Sequence, residues 1–380
     1  MQTVTIHTQI REIPASQWDG LRCDDNPFTR HAFLEALESS GCVGGDSGWQ
    51  PLHLTLHQGD QRVAAMPLYL KYHPWGEYVF DWAWEEAWTQ YGEDYYPKLV
   101  TAIPFTPSVG PRLLYNPTQI SLDHSISAMT QAIRQLCEEH RLSSWHTLFM
   151  PPATRHHYQA QSLLLRQGCQ YHWYNRGYHS FDDFLNTMTA KRRKTVKRER
   201  RRCIEQAITL QTLAGHEITA AHLTHFYHFY QLTYLKRGRQ GYLNQDFFQQ
   251  LRQTMPEQLV LVMAYHHQEA VAAALSFRDQ HHLYGRYWGC LDEYDSLHFE
   301  TCYYQGIDYC IDQGLQHFDA GAQGEHKIQR GFEPIATWSA HWIETAMFRQ
   351  AIKHYVETEQ QQMTQHIEQL RQRLPFHKSG

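Results

Sequence analysis

Phe318-Asp319-Ala320-Gly321-Ala322-Gln323-Gly324-Glu325-His326-Lys327-Ile328-Gln329-Arg330-Gly331-Phe332 opens as the end of a strand and then turns on three glycines. Seven polar or ionisable residues fall within twelve of its positions. Glycine lets a backbone bend sharply and approach a ligand, so these side chains can converge on one point. A solvated loop is the plain alternative.

Outward from this stretch, the second half of the chain reads as a regular series. A helix at 296–313 leads into a strand at 315–320. Before it lie helices at 220–237 and 245–253, strands at 259–265 and 271–278 joined across His266-His267-Gln268-Glu269, and a strand at 282–288. The first half repeats the order. It has a strand at 3–12, helices at 15–21 and 28–40, and strands at 52–57 and 62–70 across Gln58-Gly59-Asp60-Gln61. A strand at 77–82, a helix at 125–140 and a strand at 145–150 complete it. Helix, helix, hairpin, strand, helix, strand, twice over, predicts two α+β domains of related topology. Residues 344–373 alternate apolar positions at three and four and predict a long terminal helix.

The expected divisions are 1–175, a basic connector at 176–215, 216–342 with the site, and 343–380 as the helix. With 380 residues and 42% apolar content, the chain can bury two cores. A net charge of -5 excludes a globally basic nucleic-acid binder. Eight cysteines show no CxxC pair, which suits free thiols in a reducing compartment. Residues 1–10 alternate like a strand rather than a secretory signal, and no apolar run approaches the roughly 20 residues of a membrane helix. A cytoplasmic protein is expected.

Charge is nevertheless uneven. Residues 191–202 carry nine basic side chains against Glu199 alone. On one helix from about Asp182, Leu185, Met188, Val196 and Cys203 form an inward stripe. Lys191, Lys194, Arg198 and Arg201 line another face, with Arg193, Lys197 and Arg200 beside them. Like charges this close call for an anionic partner such as phosphate, or for acids elsewhere in the fold.

These segments resemble a family. FDAGAQGEHKIQRGF at 318–332, LHFETCYYQGIDY at 297–309, YGRYWG at 284–289 and PFTPSVGPR at 104–112 are similar to Fem-like, GNAT-type acyltransferases of bacteria. The resemblance covers nearly the whole chain. It implies tandem GNAT-like domains, each a mixed, mainly antiparallel sheet flanked by helices. It also implies transfer of an acyl or aminoacyl group to an amine, on a peptidoglycan precursor or a small metabolite. The donor would be a co-substrate, aminoacyl-tRNA or acyl-CoA, with no tightly bound cofactor and with tRNA as a partner. The junction Gly289-Cys290-Leu291-Asp292-Glu293-Tyr294-Asp295-Ser296 has one glycine and three acids where a CoA-binding turn would be glycine-rich. Aminoacyl-tRNA is therefore favoured. A non-catalytic module binding RNA or an envelope precursor on the same fold is the alternative.

Acyl transfer to an amine needs a proton acceptor, an oxyanion stabiliser and fixed geometry. Asp319, Glu325 and His326 are the candidate bases. Lys327 and Arg330 are expected to hold an anionic substrate group or the oxyanion, Asp319 to pair with one of them, and Gln323, Arg286, Trp288, Glu300 and Tyr304 to bind substrate. On the 296–313 helix, Glu300 shares an apolar stripe with Tyr304 and needs a partner, expected to be Arg286. Tyr284, Arg286 and Trp288 share one strand face. Asp81, beside Trp82 and Trp84, and Arg112 are expected to complete a cleft, or else a core edge. Paired histidines at 266–267 and 281–282 lack a ligand set, so no metal is expected.

Overall fold

The computed structural model describes residues 2–377, which fall into two compact units. Unit 1 takes the chain up to Gly168 together with Ala336–Gln365, and unit 2 takes Cys169–Ile335 with the chain from His366.

Unit 1 runs β1 (Gln2–His7), α1 (Ala15–Asp19), α2 (His31–Ser39), β2 (Trp49–Pro51), β3 (His53–Gln58), β4 (Gln61–Met66) and β5 (Tyr69–Lys71). It continues with α3 (Trp82–Gln90), β6 (Lys98–Thr101), β7 (Leu114–Tyr115), α4 (Leu122–His140), β8 (Ser144–Met150) and α5 (Arg155–Ala160). β1, β3, β4 and β7 form an antiparallel sheet in that order. β8, β6, β5 and β2 form another row, with β6 parallel to β8. The first hairpin closes where the turn residues predict, with Gln58 opposite Gln61 and Gly59 at a φ of 59°. α4 buries Ile126, Met129, Ile133 and Cys137, spaced by three or four, against Leu54, Leu56 and Trp145.

β9 (Leu164–Tyr174) enters unit 2 at Cys169. There follow α6 (Phe181–Asn186), α7 (Ala190–Glu205), β10 (Ile208–Ala214), α8 (Ala220–Leu235), α9 (Gln245–Thr254), β11 (Leu259–His266), β12 (Glu269–Arg278) and β13 (His282–Cys290). Helix α10 (297–312), β14 (His317–Asp319), β15 (Glu333–Ile343) and α11 (Ala346–Arg371) complete the chain. The sheet of unit 2 has the order β10-β11-β12-β13-β14-β9, antiparallel except between β13 and β14. Gly289 of β13 lies so near α8 that a Cβ would stand 2.1 Å from the Phe229 main chain.

The repeated α+β order is thus present, with one addition. Trp338–Ile343 of β15 pair with β8 inside unit 1, while His172–Tyr174 of β9 pair with β14 inside unit 2. Each unit is completed by a strand from the other half of the chain.

Several boundaries differ from expectation. The division near 175 falls at 168, the basic segment belongs to unit 2 rather than to a connector, and α11 contributes to both units. Residues 77–82 are not a strand. Asp81 precedes α3, which forms because Trp84 and Trp88 are four apart and both bury. The helix expected through 182–203 breaks at Thr187-Met188-Thr189, where Met188 is fully buried and bridges to Phe376.

Candidate functional site

The chemistry of unit 2 gathers where β14 ends. Its three residues sit between β13 and β9 so that Tyr284, Asp319 and His172 lie abreast, as do His282, His317 and Tyr174. Side chains directly opposite one another share a face, and Arg286 lies two residues beyond Tyr284 on β13. Asp319 is 1% exposed. It accepts a hydrogen bond from Arg286 at 2.5 Å and from the Gly321 N–H at 2.9 Å, with His172 Nε2 at 3.7 Å. Burial alone would raise its pKa, but Arg286 and these donors hold it well below the carboxylate range. Asp319 is a fixed anion rather than a proton acceptor.

The expected partner of Asp319 was Lys327 or Arg330; the structure supplies Arg286 instead, because β13 and β14 are adjacent. Lys327 is buried, donates to the Gly321 carbonyl at 2.7 Å and stands 5.9 Å over the Tyr303 ring. Burial brings it down to about 8, against the pull of Asp319 and with help from Arg286. Arg330 clasps Glu199 through two nitrogens at 2.7 and 3.2 Å and lies 3.4 Å over Phe299. Tyr304, fully buried, donates to the same Glu199.

His326 faces outward from the turn, and its Nε2 meets the Tyr303 hydroxyl at 2.9 Å. Burial, then the charges of Arg330 and Lys327, lower its pKa, so the imidazole is neutral at neutral pH. Gly324, at a φ of 110°, makes room for it: a Cβ there would stand 2.4 Å from His326 Cε1. Glu325 points away and pairs with Arg373 at 2.8 Å and His366 at 3.8 Å. Gln323 is exposed.

Glu300 departs from its expected pairing. It sits 2% exposed in a π-helical turn, Glu300–Tyr304, and its partners are Arg200 at 3.1 Å and Gln305 at 2.8 Å. The wider turn swings it toward α7 rather than toward Arg286. Burial raises its pKa, with Arg200 opposing. Trp288 is half-buried, its ring 5.4 Å from His298. Asp81 and Arg112 belong to unit 1. Arg112 donates to the carbonyls of Leu148, Ser108, Gly110 and Pro111, so it clamps its own loop rather than a ligand.

α7 divides its charge. Arg200 pairs with Glu300 and Asp308, Arg202 with Asp295, and Lys197 with Asp182. Lys191, Lys194, Arg198 and Arg201 are exposed on one face, and neither they nor Arg193 has an acid within 4.0 Å among the described residues.

Sequence reasoning missed the imidazoles. His172 Nδ1 and His317 Nε2 are 2.6 Å apart, and His282 and Tyr284 both reach Asp279. Burial lowers His172 to about 4, against Asp319, and His317 to about 3. The alternations Gln170, His172, Tyr174 and His282, Tyr284, Arg286 carried the signal, since period two puts each set on one strand face.

Comparisons agree with this architecture. The FemAB-like family model, described as peptidoglycan biosynthesis/recognition, matches residues 9–378. The crystal structure of FemX is similar over 93% of this chain and 100% of its own, with a TM-score of 0.55 at 10% identity. The C-terminal domain of a putative lysylphosphatidylglycerol synthetase from Agrobacterium fabrum matches over 89% and 94% at a TM-score of 0.54 and 8% identity. L-PGS from Bacillus licheniformis matches over 88% and 98% at 0.50 and 10%. Identities this low speak for a shared fold. No curated protein matches the chain. No helix among the described residues is long and apolar enough to cross a membrane.

Proposed function

The chain belongs to the FemAB-like family, and from that premise we propose that it is an N-acyltransferase moving an aminoacyl group from aminoacyl-tRNA to an amine. The acceptor is a peptidoglycan precursor or a small amine metabolite, met in the cytoplasm. The donor is a co-substrate, and no cofactor is held. The observation that carries the reading is the neutral, accessible His326, backed by Tyr303 and flanked by Lys327 and Arg330 on a glycine turn.

With Nε2–H donating to the Tyr303 oxygen, Nδ1 is the proton acceptor. The amine attacks the ester carbonyl as its proton passes to Nδ1, forming the amide bond. The ester C–O bond then breaks, and the imidazolium returns the proton to the leaving ribose oxygen. Positive charge from Lys327 and Arg330 beside His326 favours the developing oxyanion. Asp319 holds Arg286 and, through the Gly321 N–H, the start of the turn, so it is a positioning residue. Lys191, Arg193, Lys194, Arg198 and Arg201 supply an electropositive face for the tRNA backbone.

The test is label transfer from a charged tRNA pool and, separately, from acyl-CoA to a precursor amine. Transfer from tRNA alone is expected. Transfer from acyl-CoA alone would reassign the donor, and transfer from neither would leave a binding module.

A further inference from the structure

A second cluster of buried charge lies wholly within unit 1. Lys98, with no exposed surface, bonds Glu77 at 3.0 Å and Asp81 at 2.5 Å. The Tyr95 hydroxyl also donates to Asp81, at 2.5 Å. Glu77 and Asp81 are each 3% exposed, and each keeps one oxygen, Glu77 Oε1 and Asp81 Oδ1, without a hydrogen-bond partner among the described residues. The half-buried Tyr96 hydroxyl is unpartnered too, and its ring lies 5.3 Å from the same Lys98 ammonium. Buried polar atoms are nearly always satisfied, so three such atoms in one cluster need an explanation.

Their chemistry specifies the missing contact. Two are carboxylate oxygens, which accept but do not donate when ionised. The charge is one-sided as well. Lys98 balances one carboxylate, whereas Lys71 turns its ammonium to the Trp75 carbonyl and His73, both at 3.1 Å, and burial lowers it to about 7. Burial raises the Glu77 carboxyl against the pull of Lys98, so its charged form lacks a full counter-charge. A monovalent cation with several N–H donors would restore both the charge balance and the hydrogen bonds. A divalent metal fits poorly, since Lys98 sits against both carboxylates and no three ligating groups converge among the described residues.

Access has a route. Glu77 and Asp81 ride on the irregular segment 72–81, which carries the half-exposed rings of Tyr72, Trp75 and Phe80, with Trp82 packed 4.8 Å from Phe80. Exposed aromatic faces attract ammonium ions. We infer that Glu77, Asp81 and Tyr96 form a binding site in unit 1 for a primary alkylammonium group.

Binding does not require transfer, so the test needs no donor. n-Propylammonium is titrated into the full chain by calorimetry, with tetramethylammonium, which has no N–H donor, as the comparison. Saturable binding of n-propylammonium alone, weakened at least tenfold in Glu77→Gln, is expected. If Glu77→Gln fails to fold, Tyr96→Phe takes its place, with at least threefold weakening expected. No saturation by 100 mM (a ceiling set at about 1.4 kcal/mol of affinity), equal binding of tetramethylammonium, or unchanged affinity in the folded variant overturns the inference. Because the acyl-transfer reading rests on unit 2, loss of either leaves the other standing.

Discussion

His326 and Asp319 occupy the same turn, yet burial gives them opposite work. His326→Ala should lower the transfer rate by about 10²-fold or more. Its unfolding free energy should stay within about 0.5 kcal/mol of the parent in urea titrations. Asp319→Asn leaves Arg286 as an uncompensated buried charge and should cost about 3–5 kcal/mol. Lys327 makes a pH prediction. Its pKa falls from 10.5 unfolded to about 8 folded, so between these values the unfolded chain binds the extra proton. Stability therefore rises with pH across that window, by at most about 3 kcal/mol from a shift of roughly 2.5 units. Denaturation at pH 8 and pH 10 should show the native protein gaining on Lys327→Met. That the 318–332 turn carries charged side chains was legible from residue types and glycine spacing, but not that Asp319, Lys327 and Arg330 are buried while Glu325 and His326 are exposed. Pairing was not: that Asp319 meets Arg286, and Arg330 meets Glu199, depends on which strands and helices are neighbours, and Glu300 was misassigned because a π turn shifts its direction.

Among elements, α7 is the one whose face makes a quantitative claim. Four phosphate contacts by Lys191, Lys194, Arg198 and Arg201 would make tRNA affinity fall by about 3 log units per log unit of salt, at roughly 0.7–0.9 per contact. Changing these four to Ala should flatten that slope in filter binding, whereas Arg202→Ala, an exposed pair with Asp295, should leave it unaltered. A salt-independent affinity would remove nucleic acid from the account. At β13, Gly289→Ala drives a methyl into the α8 main chain and should destabilise unit 2 by about 1–3 kcal/mol, read as a lower urea midpoint. Helices were readable because one face of each is polar, and the hairpins because Gln58-Gly59-Asp60-Gln61 and His266-His267-Gln268-Glu269 interrupt their apolar runs. β6 was not, since Lys98-Leu99-Val100-Thr101 is buried throughout and hides a lysine where a sequence reader sees a surface residue.

For the molecule as a whole, the order of elements was visible twice in the sequence, but the exchange of final strands was not, because nothing local to β9 or β15 names its partner. The exchange has a consequence for folding. Ending the chain at Ile335 strips β8 of Trp338–Ile343 and leaves an unpaired edge in unit 1. Such a chain should associate in gel filtration and lose the cooperative urea transition of unit 1. The account as a whole depends on the turn of unit 2 carrying out transfer through a neutral imidazole. Single-turnover transfer of a labelled amino acid from tRNA to a precursor amine, followed from pH 5 to 8, measures this most directly. The native protein should hold its rate near neutrality and lose it as pH falls through the lowered His326 pKa, while folded His326→Ala stays slow throughout. Equal rates and equal pH profiles for the two proteins would contradict the account.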